Sequence, residues 1–290
     1  MKTYILYNPL AGRGDNEARA RALGETLTGE VELINLLKIG EPVAFFSALG
    51  EEDTVILCGG DGTVNRFVNA LDGVEVKANI LYYAIGTGND FVHDIGKEAG
   101  GEPFDLKPYM CDLPTVEVKG VKRRFINGIG YGIDGYCCEV GDKIKATSTK
   151  PVNYTSIAIK GLLFHYEPTD ATIIVDGVEH QYKKVWLAAT MHGRFYGGGM
   201  MATPEQDRLA EEKQVSLLVF HGSGRLKTLM IFPSIFKGEH VNHTKQVAIH
   251  TGKDIKVIFD RPTPLQIDGE TVLDVTEYRV TANAAVPAHV

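Results

Sequence analysis

Three times in the first third of the chain an apolar, β-rich run ends on glycine at its carboxyl end and gives way to a helix-prone stretch. The turns are YNPLAGRG after the run TYILYNP, CGGDGT after TVILCGG and IGTGND after NILYYAIG; DNEARARALGETL, EPVAFFSALG and TVNRFVNAL are the helix-like segments, and VELINLL is a further strand. Strands alternating with helices of this length imply a parallel sheet covered on both faces. Ligands of such sheets bind at the carboxyl ends of the strands, where all three glycine turns fall. Consecutive glycines before a helix N-terminus let backbone N–H groups converge on an anion, and the helix dipole adds about 0.3–1 kcal/mol. A phosphate is the natural guest; the plain alternative is a tight turn with no ligand. Asp61 in CGGDGT favours the phosphate, because a carboxylate beside one is repelled unless a cation such as Mg²⁺ lies between them.

Beyond about residue 112 the pattern changes to short alternating strands with turn signals, such as TVEVKGVKRRFINGIG, ATIIVDGVEHQYKKVWLAAT and PLQIDGETVLDVTEYRVTA. That spacing predicts an antiparallel sandwich or barrel-like domain. Two helices interrupt it, NYTSIAIKGLLFHY and LKTLMIFPSIFKG, the second broken at Pro233. At 290 residues and 44% hydrophobic content the chain can bury two cores. The expected division is an α/β domain over 1–112, to which the tail 283–290 returns, and a β-sandwich domain over 113–282.

The net charge of −7 argues against a general nucleic-acid binder. Arg123-Arg124, Lys183-Lys184 and the Lys143/Lys145/Lys150 group read as solvated faces. The opening MKTYILYNPLAGRG lacks the long apolar core of a secretion signal, and no run of about 18 apolar residues predicts a membrane-spanning helix. Four cysteines (Cys58, Cys111, Cys137, Cys138) without paired spacing fit reduced thiols in a cytoplasmic protein. Any membrane contact is then peripheral, and a homodimer is compatible with the composition. In LKTLMIFPSIFKG, Leu229, Ile231, Phe232, Ile235 and Phe236 lie between Arg225/Lys227 and Lys237. Such a helix belongs in a core; its basic edges leave a membrane-facing rim as the second reading.

No Walker A loop is present, and the formal G-x-G-x-x-G of GYGIDG (Gly130, Gly132, Gly135) lies at the domain change with no acidic residue about 20 positions on. His240-x-x-His243 has no third ligand in a recognisable pattern, which favours packing over metal. His192, in TMHGRFYGGG, lies nearer the presumed cleft. Two Asp-Gly pairs, Asp176-Gly177 and Asp268-Gly269, sit between β-rich runs in the commonest hairpin-turn pattern.

Taken together, GGDGT (59–63), YNPLAGRG (7–14) and GTGND (86–90), followed in order by NGIGYGIDG (127–135), GGGMMATP (197–204) and QIDGE (266–270), resemble the diacylglycerol kinase catalytic-domain family, soluble bacterial lipid kinases related to sphingosine kinases. The resemblance covers nearly the whole chain. GGDGT alone is shared with NAD kinases, whereas GTGNDF is a lipid-kinase feature. The resemblance implies an ATP-dependent phosphotransferase of lipid metabolism with its nucleotide in the cleft between the two domains, and diacylglycerol as acceptor, giving phosphatidic acid. Carried over position by position, Asn8, Pro9, Gly12 and Arg13 border the ATP phosphates, Gly59, Gly60, Asp61, Gly62 and Thr63 cradle them, and Thr87 and Asn89 lie at the nucleotide. Asp268 matches the family's general base, with Glu270 beside it, while Asp176 is assigned to a plain turn. Asp61 is the expected Mg²⁺ ligand. A second metal site of the family falls on EEKQVS (211–216), where Glu212 is the candidate ligand but Lys213 stands in place of glycine. Two other readings stay open: an NAD or other small-molecule kinase sharing only the GGDGT loop, and a nucleotide-binding regulator that has lost its chemistry.

Overall fold

A computed structural model describes residues 2–9, 14–86, 88–148 and 152–282. Gly12, Arg13, Thr87 and the tail 283–290 lie outside the described residues. The described chain divides into two compact units, one up to Leu113 and one from Pro114.

In the first unit, β1 (Thr3–Tyr7), α1 (Asn16–Thr26), β2 (Val31–Asn35), α2 (Pro42–Ser47), β3 (Thr54–Gly59), α3 (Asp61–Ala70), β4 (Asn79–Ala84), α4 (Asp90–Asp94), β5 (Phe104–Asp105) and α5 (Lys107–Met110) follow one another. The sheet order is β2-β1-β3-β4-β5, parallel through β4 and closed by an antiparallel β5. That antiparallel edge is a departure from the all-parallel expectation; β5 is only two residues long and carries no periodicity to read. Ile5, Tyr7, Ile56 and Cys58 share a core with Ala20 of α1. Strand alternation turns Leu6, Val55 and Leu57, all fully buried, to the opposite face. Register puts Tyr7 beside Cys58, Cys58 beside Tyr83 and Gly59 beside Ala84, so β1, β3 and β4 end on one edge.

The second unit runs β6 (Thr115–Val118), β7 (Val121–Arg124), β8 (Gly128–Gly132), α6 (Ile133–Thr147), α7 (Tyr154–Lys160), β9 (Thr169–Val175), β10 (Val178–Val185), β11 (Leu187–Met191), β12 (Phe195–Tyr196), β13 (Met200–Met201), β14 (Val215–Phe220), α8 (Arg225–Ile231), β15 (Val247–Gly252), β16 (Asp254–Ile267) and β17 (Glu270–Thr281). The main sheet is antiparallel in the order β15-β14-β11-β8-β16-β17-β6-β7. Long β16 serves two layers: Ile255–Phe259 pairs with β9, and after a register shift Leu265–Ile267 pairs with β8. Pro262 and Pro264 stand in the irregular stretch, where a missing N–H removes no ladder bond. Between the layers lies a core that includes Val116, Phe125, Tyr131, Val257, Phe259 and Tyr278, with the Tyr131 and Phe259 rings stacked at 3.8 Å.

Both predicted helices form, each in a modified shape. The first is α7 continued by a π turn, Gly161–His165, and the second is α8 continued by a 3-10 turn, Phe232–Lys237, with Pro233 in its opening turn. A third helix, α6, was not expected. Gly135 and Gly141 lower its intrinsic propensity, yet a Cβ on Gly135 would lie 1.9 Å from the Pro264 carbonyl oxygen and one on Gly141 would strike the Tyr154 ring. Close packing on β16 and α7 therefore requires the residues that hide the helix from pattern reading.

Candidate functional site

On the first unit's edge, the glycines of the two turns following β3 and β4 are pressed against each other. A Cβ on Gly86 would lie 2.4 Å from the Gly60 Cα, and one on Gly60 would lie 3.0 Å from the Gly86 Cα. A Cβ on Gly59 would strike the Thr63 side chain at 2.4 Å. Only at Gly62 does an added Cβ find nothing within 4 Å, so the open side of this loop begins there. Much of the glycine in CGGDGT thus serves loop-on-loop packing. Gly60 caps α3, its carbonyl accepting the Thr63 and Val64 N–H groups at 2.9 and 3.2 Å.

Asp61 joins the loops electrostatically. Its carboxylate accepts from the Asp90 N–H at 2.8 Å and from the Phe91 N–H at 3.4 Å, at the start of α4. Asn89, just before that helix, holds a left-handed φ of 46°, and its Nδ2 donates to the Gly86 carbonyl at 2.6 Å. The Asn89 Oδ1 is buried with no hydrogen-bond partner. At the end of β1, Asn8 donates through Nδ2 to Thr63 Oγ1 at 3.3 Å, and its carbonyl accepts from the buried Asn16 side chain at 2.9 Å. Pro9 follows it, half-buried. Beside Asn8 and Thr63 opens a cavity of about 160 Å³, walled by Leu36, Ile39, Phe46 and Phe67 with Arg66 among its lining. This is below the roughly 300–1,000 Å³ of whole-ligand sites, enough for one ring system.

In the second unit, Asp268 occupies the β16–β17 turn with φ 46°, and Gly269 follows at 89°. Both angles are left-handed, as the two-residue turn favoured by Asp-Gly requires. The Asp268 carboxylate accepts three backbone N–H groups, from Ile126 at 2.6 Å, Asn127 at 2.9 Å and Gly128 at 3.0 Å, and its own N–H donates to the Gly128 carbonyl at 3.0 Å. Buried Arg208 holds the same segment from its other side, donating to the Ile126 carbonyl at 3.2 Å and to Asn127 Oδ1 at 3.1 Å. Gln266 accepts from the Gly269 N–H at 2.6 Å and donates to Asp134 Oδ2 at 2.8 Å, tying the turn to the start of α6. Glu270 pairs with Arg123 at 2.9 Å. His192 is buried, its backbone N–H on the Asn127 carbonyl; burial first, then the charges of Arg208 and Lys213, keep its ring well below the ordinary histidine range and hence neutral.

A model of the diacylglycerol kinase catalytic domain matches residues 2–106, and a model of the YegS C-terminal NAD kinase beta sandwich-like domain matches residues 127–287, more than half of the chain. The chain belongs to the diacylglycerol kinase-like lipid kinase family. A diacylglycerol kinase of Mycobacterium tuberculosis is 27% identical over 196 residues, a match taking in 65% of this chain and 62% of that protein. One of Bacillus subtilis is 26% identical over 238 residues, 77% of this chain and 73% of its own. A solved diacylglycerol kinase from Bacillus anthracis superposes with a TM-score of 0.59 at 16% identity, over 97% of this chain and 94% of that one, a likeness of fold.

Within this family frame, the structure brings Asn8, Gly59, Gly60, Asp61, Gly62, Thr63 and Asn89 to one sheet edge and keeps Asp268 with Glu270 on one turn of the other unit. Glu212 stands elsewhere, exposed, paired with Lys253 at 3.0 Å. Among the described residues no group of three or more His, Cys, Asp or Glu is arranged to hold a metal ion. Sequence reasoning missed Arg208, Asp134, Gln266 and Arg123 as partners of the acid turn. Gln266 lies inside the QIDGE motif and could have been found by asking what distinguishes it from IVDGV; Arg208, in a charged run, offers no such signal.

Proposed function

We propose that this chain is a lipid kinase that moves the γ-phosphate of ATP to the hydroxyl of a diacylglycerol, forming phosphatidic acid. The observation that supports it most is the paired-glycine edge, where Gly62 and the α3 N-terminus present backbone N–H groups beside a ring-sized cavity. In this reading the triphosphate lies along the loop, Asn8 and Thr63 border it, and the nucleobase enters the Leu36–Phe67 cavity with Arg66 near. Gly12, Arg13 and Thr87 are assigned to the same nucleotide by their place in the motifs.

Asp268 takes the proton of the acceptor hydroxyl as that oxygen bonds to the γ-phosphorus and the bond to the β-phosphate oxygen breaks, releasing ADP. A loose phosphoryl-transfer transition state asks mainly for alignment and charge neutralisation. Three backbone donors fix the direction of the Asp268 carboxylate, which supplies alignment on the acceptor side. Mg²⁺, arriving with the nucleotide, would neutralise phosphate charge. The residues fit a metal held chiefly by phosphates and water with at most one carboxylate: Asp61 is near, and the orphan Asn89 Oδ1 can accept from a metal-bound water or a ribose hydroxyl.

Among the described residues no helix is long and apolar enough to cross a membrane, so we propose peripheral contact with the bilayer that holds the acceptor. The test is transfer of labelled phosphate from ATP to a panel of diacylglycerol, sphingosine, NAD and sugar acceptors, with the product identified by mass. Labelled phosphatidic acid, lost on chelating Mg²⁺, is the expected result. Labelled NADP or sugar phosphate, or nucleotide binding with no product at all, overturns the reading.

A further inference from the structure

Arg208 is charged and almost entirely buried, 5% exposed, in the connection between β13 and β14. Sequestering a guanidinium is costly unless its N–H groups find acceptors, so its place calls for a reason. The connection that carries it is anchored: buried Gln206 donates to the Gln214 carbonyl at 3.0 Å and accepts from the Ser216 hydroxyl of β14 at 2.6 Å. From that support Arg208 reaches 82 positions back along the chain, to the segment that holds Asp268, with Nη1 on the Ile126 carbonyl and Nη2 on Asn127 Oδ1.

The Ile126 carbonyl and the Asn127 N–H are the two ends of one peptide group. Its carbonyl accepts from the Arg208 cation at 3.2 Å, and its N–H donates to Asp268 Oδ1 at 2.9 Å. The peptide is conjugated, so a cation on the oxygen draws electron density from the nitrogen and makes the N–H a stronger donor. In chains of this kind each bond strengthens the next by roughly 10–30%. The Asp176 turn supplies the contrast. There the matching peptide joins Lys253 to Asp254: the Asp254 N–H donates to Asp176 at 2.8 Å, and the Lys253 carbonyl accepts at 2.7 Å from the uncharged backbone N–H of Ala282. The acid of QIDGE is thus linked to a buried cation where that of IVDGV is linked to the main chain.

We propose that Arg208 is a positioning residue for Asp268: through the Ile126–Asn127 peptide it fixes the direction of the carboxylate and favours its ionised form. The effect on turnover rests on the reading of Asp268 as the base; the effect on the carboxyl group does not. Other charges bear on the same turn. From α6 come Asp134, through Gln266, and Asp142, which accepts from the Thr271 hydroxyl of β17; Glu270 is paired with Arg123 of β7, and His192 stays neutral near Lys213. The two α6 carboxylates favour a protonated Asp268, and Arg208 opposes them from the segment that touches the acid.

The Asp268 carboxyl is followed through a pH titration by NMR, its signal assigned by its loss in Asp268→Asn, and kcat and KM for ATP are measured on the same proteins. In Arg208→Ala the carboxyl should titrate about half a pH unit to one pH unit higher, and the acid limb of kcat should move with it. At its plateau kcat should fall by up to about a hundredfold, with KM for ATP unchanged. Millimolar guanidinium, unlike sodium chloride at equal strength, should return both toward the original values. Arg208→Lys keeps a charge without the planar two-pronged grip, so its carboxyl should titrate near the original pH while kcat still falls; this variant decides the matter if Arg208→Ala does not fold. A carboxyl titration that stays in place in Arg208→Ala, or kcat unchanged in Arg208→Lys, overturns the role, and so does a loss that follows the melting temperature and ignores guanidinium. Absence of phosphate transfer by the unaltered protein, with the Asp268 titration still shifted by Arg208→Ala, overturns the kinase reading and leaves the link standing.

Discussion

The second unit contains two Asp-Gly turns with nearly identical backbones and different surroundings. Asp176 and Asp268 have φ of 48° and 46°, and the following glycines 84° and 89°. Each carboxylate leaves its own hairpin to hold backbone N–H groups elsewhere: Asp176 those of Lys253 and Asp254, Asp268 those of Ile126, Asn127 and Gly128. The difference lies two residues to either side. IVDGV puts Ile174 and Val178 where QIDGE puts Gln266 and Glu270. Asp176 is exposed, whereas Asp268 is half-buried beside Arg208's clamp. A turn that ties strands together thus becomes a candidate reactive group when its flanks are polar and anchored.

The largest separation between the two turns is expected from the same substitution in each. Asp268→Asn should lower phosphate transfer by about 10²- to 10⁴-fold, the usual effect of removing a general base. Asp176→Asn should leave transfer unchanged. Both exchange a two-oxygen acceptor for a single carbonyl, so both should lose stability by about 1 kcal/mol, read from urea midpoints. Equal activity in the two variants would mean that Asp268 is a strap like its counterpart and that the base lies elsewhere.

A smaller effect should come from the flank that makes Asp268 different. Gln266→Leu gives the position an aliphatic residue like Ile174, and removes the bonds to Gly269 and Asp134 while leaving the three N–H donors to the carboxylate. We expect kcat to fall roughly tenfold, the scale of one or two hydrogen bonds, with KM for ATP unmoved. Gln266→Glu retains the acceptor for Gly269 but sets a charge near Asp134, and should recover part of the loss at higher pH less well than at lower pH. A fall in KM and kcat together, tracking lost stability, would reduce Gln266 to a core residue.

These flanks show where the sequence is legible. The succession of strands and helices and the glycine edge follow from alternation and turn chemistry because each is a local property: a run such as TVILCGG states both its burial and its end. Asp-Gly states the turn. What Asp268 bonds to, 140 to 142 positions back in sequence, is set by how β16 crosses from β9 to β8, and no local pattern encodes that. Helix α6 is hidden for the related reason that its glycines answer to neighbours distant in sequence. The glycines of CGGDGT mislead in the opposite direction, since Gly60 is required by Gly86 before any ligand is considered. The apolar helix near Pro233 was divisible only in three dimensions: Ile231 and Ile235 face in, Leu226 and Met230 out.

The smallest contrast concerns acid. Near the Asp176 turn, His250 on β15 stacks at 4.3 Å on His180 of β10 and bonds the Tyr182 hydroxyl at 2.6 Å, while His221 lies against the Tyr182 ring. Burial, and for His250 also the neighbouring His180, lowers the affinity of His250 and His221 for protons below the ordinary value of 6.5. Below about pH 6.5 the unfolded chain therefore binds more protons at these sites than the folded one, so their stability contribution is full above that pH and declines as pH falls. His192, behind the Asp268 turn, is more deeply buried and lowered further, so the same fall in pH costs its surroundings more stability. Between about pH 7.5 and 5.5, amide exchange at Ile126–Gly128, corrected for intrinsic rates, should accelerate more steeply than that at Lys253 and Asp254, and His250→Gln should flatten the rise at Lys253 and Asp254. Simultaneous loss of protection at both turns would show that the two ends of the unit open together and that their difference is confined to chemistry.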